Sequence, residues 1–417
     1  MLGLASAALG CGPSLESPDP SAAPESPAPS SPSEAATRDA APRLALWVLA
    51  EGSQRVLDDP ARIPGLVADA QALGATDLFV QVYRGGRAWF ASELADATPY
   101  RRALDGHGVD TLAALLVQAH RAGLRVHAWV NALSLSKNTD APILARLGPS
   151  AVLSDRKGRS LLDYPGHDVP EPDRRYYRMG TPGVYLDAAA PGLSEELVAV
   201  FAELLTGYPA LDGLHLDYIR YPDVLPFAPG TRFGVGLDFG YGDATRARFR
   251  EETGLEAPFG ESLRNANAWD EWRRETLTRL DADVAAAARA ARPGVAMSAA
   301  VWTYADRAYF VLGQDWRDWL ERDLLDFAVP MSYTTDDRVL RYQAEHFAGL
   351  PVGGRIWVGL GSWLFANDPP RALAQVAIVR DAGIRDWALF SYDSIVTEPA
   401  LFDALRVEQT VEPVGER

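Results

Sequence analysis

In the run Leu211-Asp212-Gly213-Leu214-His215-Leu216-Asp217-Tyr218-Ile219-Arg220-Tyr221-Pro222, an apolar β-type stretch ends abruptly in a carboxylate, two tyrosines and an arginine. A charge in a parallel strand covered on both faces is costly except at the carboxyl end, where loops open and a ligand can meet it. Asp217 is therefore the first candidate for acid, base or nucleophilic chemistry. The plainer alternative is a strand-end aspartate that caps the next element or pairs with Arg220. Comparable side chains stand where other apolar runs end: Glu51; Gln81, Tyr83 and Arg84; His127, Trp129 and Asn131; His215; Trp302, Tyr304 and Asp306; Met331, Tyr333, Asp336 and Asp337; Trp363; and Tyr392 with Asp393. Aromatic faces stack on the C–H surfaces of pyranose rings, Asn, Arg and Asp hold hydroxyls, and paired carboxylic acids cleave glycosidic bonds. The set suits a sugar ligand.

Each residue also has a duller explanation. Tryptophans and tyrosines at strand ends can simply close the top of a core. His127 and His215 repeat on one face of their strands and read as hydrogen-bonded wall residues. With no His-x-x-x-His pair and the single cysteine Cys11, neither a metal centre nor another cofactor is expected. Asp336-Asp337 can cap the helix that follows. Other routes to hydrolysis lack their residues. Gly359-Leu360-Gly361-Ser362-Trp363 misses the final glycine of a serine nucleophile elbow, and no Gly-x-x-x-x-Gly-Lys-Ser/Thr loop occurs. Carboxylate catalysis remains.

To gather these side chains, the fold must bring strand ends together. From Arg43 onward, apolar runs alternate with amphipathic stretches about eight times. Strands are expected at Leu44–Ala50, Asp77–Tyr83, Arg125–Asn131, Gly213–Tyr218, Val295–Trp302, Phe327–Tyr333, Ile356–Gly361 and Trp387–Tyr392. Helices are expected at Thr111–Ala122, Ser194–Leu205, Trp269–Ala291, Trp316–Leu324, Arg338–Phe347 and Pro370–Asp381. Gly74, Gly123, Gly294 and Gly383 end helices ahead of strands, as left-handed caps do. Repeated β-then-α units imply an α/β chain closed into a (β/α)8 barrel of TIM type. The rival, an open doubly wound sheet, would want a Gly-x-Gly-x-x-Gly turn after the first strand, and there is none. The loops after strands 3 and 4, Ala132 to about Val184 and Asp223 to about Ala268, are unusually long. The second should hold a short helix at Ala244–Thr253, and both should wall a cleft for an extended ligand.

At 417 residues, 47% of them hydrophobic, the chain can bury a large core. A net charge of -16 without any Lys/Arg-rich block argues against nucleic acid or an anionic membrane surface as partner. Ala8-Leu9-Gly10-Cys11 resembles a lipobox, so residues 1–11 read as a lipoprotein signal segment with Cys11 as the lipidated residue. Residues 12–42, rich in Pro, Ser, Ala and Glu, read as a disordered tether, residues 43–407 as the barrel domain and 408–417 as a tail. No later run has eighteen uninterrupted apolar residues, so membrane attachment would come only through Cys11.

Several segments together resemble the glycosyl hydrolase-like 10 family. They are Phe79-Val80-Gln81-Val82-Tyr83-Arg84 with Gly85 to Phe90, Val126-His127-Ala128-Trp129-Val130-Asn131, Tyr185-Leu186-Asp187-Ala188-Ala189-Ala190-Pro191, Asp212 to Pro222, Arg248-Phe249-Arg250-Glu251-Glu252-Thr253-Gly254, Pro330-Met331-Ser332-Tyr333 and Phe390-Ser391-Tyr392-Asp393. The resemblance covers nearly all of Arg43 to Val407. It implies a TIM-type barrel and a periplasmic or surface hydrolase of bacterial envelope polysaccharide, peptidoglycan glycan strands included. The fourth-strand motif is also similar to that of family-18 chitinases: Asp212, Gly213, Asp217, Met331 and Tyr333 match. His215, however, stands for a middle Asp and Ile219 for the catalytic Glu. Without that Glu the chitinase mechanism does not carry over whole.

The expectation is a lipid-anchored glycoside hydrolase of the bacterial envelope with Asp217 as essential general acid or nucleophile. Its partner carboxylate should be Glu51 or, next, Asp393 or Asp306. Tyr333 should face the reacting sugar, Tyr218 and Arg220 should orient substrate or tune Asp217, and Trp129, Asn131 and Trp302 should line subsites. Gln81, Tyr83, Arg84, His127, His215, Met331 and Trp363 complete the expected binding surface. The competing expectation is a non-catalytic glycan-binding lipoprotein on the same scaffold.

Overall fold

Eight parallel strands close on themselves in the computed structural model, which describes residues 41–226 and 237–407. They are β1 (Leu44–Val48), β2 (Asp77–Arg84), β3 (Arg125–Asn131), β4 (Gly213–Asp217), β5 (Ala296–Trp302), β6 (Phe327–Met331), β7 (Trp357–Gly361) and β8 (Asp386–Phe390). Each pairs with the next, and β8 returns to β1 through Leu44 with Trp387, Ala45 with Ala388 and Leu46 with Leu389. Closure removes the unpaired edges an open sheet would expose. Helices follow the strands in turn, among them Ile63–Ala72, Thr111–Arg121, Leu193–Gly207, Leu263–Ala291, Trp316–Glu321, Asp337–Ala348, Pro369–Asp381 and Pro399–Val407. This is the (β/α)8 barrel that the alternating pattern implied. Cys11, nearly all of the expected tether and the 408–417 tail lie outside the described residues.

The period of two sorts strand residues into two cores. Trp47, Phe79, Trp129, Phe327, Val329 and Trp357 face inward and fill the barrel, while Leu46, Val48, Leu78, Val80, Val126 and Leu214 face outward against the helices. The large inner rings need small neighbours. A Cβ at Gly359 would lie 2.9 Å from the Trp47 indole, and one at Gly213 would overlap the His127 imidazole.

Asp77 closes the amino end of the barrel. Fully buried at the start of β2, it accepts from Arg125 Nε and Nη2 at 3.0 Å each, from Arg43 through Nε at 3.1 Å and through Nη2, and from Thr76 Oγ1 at 2.6 Å. His127 Nε2 lies 2.9 Å from its Oδ1. Burial alone would raise this carboxyl, but the hydrogen bonds from His127, Arg125 and Arg43 outweigh burial and hold it far below the usual range.

The two long loops leave the opposite end. They pair with each other through the short strands Tyr177–Met179 and Val224–Pro226. A satellite core of Ala189, Tyr241, Phe249, Ala257, Trp269 and Trp272 binds them to the long helix after β4. The short helix expected at Ala244–Thr253 is present as Asp243–Thr253. The long helix begins at Leu263, ahead of the expected Trp269, because the Ser262 side chain accepts from Asn265 N at 3.2 Å and starts it early.

Candidate active site

Asp217 ends β4 on the inward face and is 6% exposed. Its Oδ1 accepts from Tyr218 N at 2.7 Å and from Arg220 Nη1 at 2.9 Å, while Oδ2 accepts from Trp129 Nε1 at 3.2 Å. Among the described residues it accepts from a guanidinium, an indole N–H and a backbone amide. The chain turns sharply there. Tyr218 has φ +55, a left-handed conformation that costs a residue with a Cβ about 1–2 kcal/mol. That turn folds the Tyr218 amide back onto the preceding carboxylate and brings its ring 4.3 Å from the Arg220 guanidinium carbon.

Tyr333, just past β6, stands beside this pair. Burial, then the proximity of Asp217 and Tyr218, pushes its phenol well above the usual value, against a pull from Arg220. It therefore remains a hydrogen-bond donor across neutral pH. Its ring meets Trp363 edge-on at 4.8 Å, and both pack against Phe390, at 5.7 and 5.5 Å. Trp363 keeps 39% of its surface exposed, which leaves an aromatic face open to a ligand. Trp302 and Met331 are register partners at the ends of β5 and β6. The buried indole N–H of Trp302 has no partner among the described residues, so a donor is unused at this rim.

Two pairs of the remaining expected residues belong to the barrel wall and core. Gln81 and Asn131 sit in the upper barrel wall and bond to each other, Nε2 to Oδ1 at 3.3 Å, while Gln81 Oε1 accepts from Ala50 N at 3.4 Å. His127 and His215 lie inside the barrel core, fully buried. Because Trp47 Nε1 can only donate, His215 Nε2 accepts from it at 3.1 Å, which leaves Nδ1 to donate to Ser298 Oγ at 2.9 Å. Burial, helped by His127, lowers the His215 pKa well below its ordinary value, so it is a neutral wall residue.

Several expectations are corrected. Strict alternation would turn Tyr83 inward, but a register shift between Gln81 and Tyr83 pairs Tyr83 with Val130 and flips it outward. It packs edge-on against Phe201 at 5.7 Å, beneath a helix and away from ligand. Asp393 is shut in: Oδ1 accepts from Gln54 N at 2.8 Å and Ser53 Oγ at 3.4 Å, Oδ2 from Leu49 N at 3.3 Å, and a Cβ at Gly52 would run into the carboxylate. It staples the β1 loop and offers no face to a sugar. Glu51 is exposed but forms ion pairs with Arg84 Nε at 3.2 Å and Arg87 Nη1 at 2.9 Å. Asp306 lines a different cleft with Tyr309 and Phe310. Two residues of the assembly escaped the sequence reading. Phe390 is the inward terminal residue of β8, which alternation could have flagged, whereas Tyr185, 6.1 Å from the Tyr218 ring, lies in a loop without periodicity. Among the described residues no group of three or more His, Cys, Asp or Glu side chains is placed to hold a metal.

Known proteins resemble this chain in sequence and in fold. Glycosyl hydrolase DigH of Escherichia coli K12 is 25% identical over 314 residues, covering 70% of this chain and 63% of its own length. Glycosyl hydrolase YngK of Bacillus subtilis is 23% identical over 332 residues, covering 73% and 56%. The chain thus spans under two thirds of either relative. Among solved structures, the PgaB (BpsB) glycoside hydrolase domain from Bordetella bronchiseptica superposes with a TM-score of 0.63 at 14% identity, over 90% of this chain and 100% of that one. The catalytic domain of a Paenibacillus polymyxa β-amylase does so with 0.54 at 12% identity, over 89% and 99%. At such identities the likeness establishes the fold alone. The model of the glycosyl hydrolase-like 10 family matches residues 44–347, and the chain belongs to that family.

Proposed function

We propose that this protein is a glycoside hydrolase of bacterial envelope or extracellular polysaccharide, with Asp217 as its essential carboxylate. The reading is carried by one observation: a carboxylate held by donors alone at the barrel mouth, beside a protonated phenol and an open aromatic face. A group so aimed serves as nucleophile, or as counter-charge to an oxocarbenium-like transition state. Tyr333 donates a hydrogen bond toward the sugar or Asp217. Trp363 stacks on a neighbouring ring, and the Trp302 N–H takes a hydroxyl oxygen. Arg220 and Tyr218 keep the carboxylate aimed. The names of the relatives, glycosyl hydrolases, support the same activity.

The test incubates the full chain with chitooligosaccharides, denuded peptidoglycan glycan strands and bacterial exopolysaccharides, alongside Asp217→Asn. Cleavage of at least one glycan is expected, falling on the order of 100-fold or more in the variant. Binding by both chains without cleavage by either would replace the hydrolase with a glycan-binding protein. Ala8-Leu9-Gly10-Cys11 supports, as part of this proposal, a lipid anchor at Cys11 and a place in the bacterial envelope. Cys11→Ser should then shift the protein from the membrane fraction to the soluble one.

A further inference from the structure

The two oxygens of Asp217 are held differently. Oδ1 accepts from the Tyr218 amide at 2.7 Å and from Arg220 Nη1 at 2.9 Å, whereas Oδ2 accepts from the Trp129 indole N–H at 3.2 Å. Each carboxylate oxygen has about two lone-pair sites. Among the described residues both sites of Oδ1 are therefore taken, one of them by a charged donor, and Oδ2 keeps one. Oδ2 is the oxygen left to meet a sugar.

The side chain that fixes Oδ2 is one a ligand does not reach. Trp129 is 3% exposed, so the subsite role expected of it from the sequence has no open ring face behind it. Its strand neighbours are Gln81 on β2 and His215 on β4, and Asn131, two residues on, pairs with Asp217. The indole thus starts one pleat below the carboxylate on the adjoining strand and reaches up to it. It packs among the inward rings that fill the barrel, with Phe390 edge-on at 6.2 Å. Phe390 also meets Tyr333 and Trp363, so the N–H is set in the same aromatic block as the phenol and the open ring face. A donor held in this way is in place before substrate arrives and needs no rearrangement as charge develops. A tryptophan with a purely structural role needs only some acceptor for its N–H. Here the acceptor is the oxygen with a free lone pair on the candidate reacting acid.

We propose that Trp129 is a positioning residue for the reaction: its indole N–H turns the free lone pair of Asp217 Oδ2 toward the positive charge that develops on the reacting sugar. Arg220 and Tyr218 hold the far oxygen and Trp129 the near one, and the three together fix the carboxyl plane. The proposal deepens the hydrolase reading and rests on it. That charge exists in the transition state and not in the bound glycan, so loss of the donor lowers the turnover rate and leaves KM where it was.

The experiment places benzothienylalanine at position 129 of the full chain; sulfur then stands where the indole has N–H, and the ring shape is kept. A second chain carries fluorotryptophan there, which keeps the N–H. Rates are read on the glycan that the unsubstituted chain cleaves, whether chitooligosaccharide, denuded peptidoglycan strand or exopolysaccharide. The benzothienyl chain should lose about 10–100-fold in turnover rate, as for one hydrogen bond to a charged group, with KM within about twofold. The fluorotryptophan chain should stay within about threefold of the unsubstituted one. Trp129→Phe should lose rate to a similar degree and also melt at a lower temperature, because it empties part of the core as well. The hydrogen bond itself is read without substrate. The Trp129 indole proton, assigned by its absence from the spectrum of Trp129→Phe, should shift upfield in Asp217→Asn, where the acceptor has lost its charge. A benzothienyl chain as fast as its parent, a loss that falls on KM instead, a fluorotryptophan chain as slow as the benzothienyl one, or an indole proton indifferent to Asp217→Asn overturns the proposal. Cleavage that survives loss of the N–H sinks this role alone, whereas an unsubstituted chain that cuts nothing sinks the hydrolase and this role with it.

Discussion

Asp217 and Glu51 are both acidic residues at strand ends, yet their neighbours assign them different work. Asp217 is enclosed by one guanidinium, one indole N–H and its own turn amide, beside the rings that could grip a sugar. Glu51 is shared between two arginines at the edge of another cleft. Glu51→Gln should leave the turnover rate on short neutral glycans within about threefold of the unsubstituted chain, whereas loss of a reacting group costs 100-fold or more. A 100-fold loss would return Glu51 to the reacting centre. A third acid, Asp281, reports on stability. It is fully buried on the helix Leu263–Ala291 with neither oxygen bonded among the described residues, and burial pushes its carboxyl up to about 7, against pulls from Arg289 and Arg322. The folded state keeps a proton that the unfolded chain releases near pH 4, so stability falls as pH rises from about 4 to about 7 and stays lower above that. Asp281→Asn should therefore be nearly neutral at pH 4 and stabilising at pH 8, by on the order of 4 kcal/mol. Thermal melts at the two pH values check it; an equal effect at both rules it out.

At the scale of elements, the strands follow from local pattern and the departures follow from packing. The eight strands begin within one residue of where apolar runs and turn residues place them. What pattern does not carry is the irregularity in β2, because a bulge is set by how two strands meet and not by either alone. The bulge moves Tyr83 from the ligand side to the helix side, where it packs against Phe201. Tyr83→Ala should then lower stability by about 3–5 kcal/mol, as for other large-to-small changes of buried aromatics, while the remaining folded protein keeps its KM and turnover rate. Denaturant midpoints and steady-state rates separate the two effects; a raised KM at unchanged stability would put Tyr83 back among the ligand contacts.

At the scale of the molecule, the barrel separates a polar plug at one end from the candidate site at the other. Asp77 joins the segments that start β1, β2 and β3 through Arg43 and Arg125. Since its folded-state carboxyl lies far below the usual range, its contribution is complete above about pH 4 and is lost as the pH falls further. Asp77→Asn should cost about 3 kcal/mol or more at pH 7, leaving two arginines short of a buried partner, and should flatten the loss of stability on the acid side. Unfolding midpoints from pH 3 to 7 test both parts; an unchanged acid limb would contradict the assignment.

The sequence by itself determined the barrel and the placing of Asp217, since both follow from short-range facts: a period of two, alternation with amphipathic stretches, and a charge where an apolar run stops. Tertiary structure alone decided which rim residues meet. Asp393 is locked by Leu49, 344 positions away, and Tyr333, Trp363 and Phe390 converge from three strand ends. Those neighbours exist only once the sheet closes, because closure brings together residues whose separation along the chain carries no periodic trace.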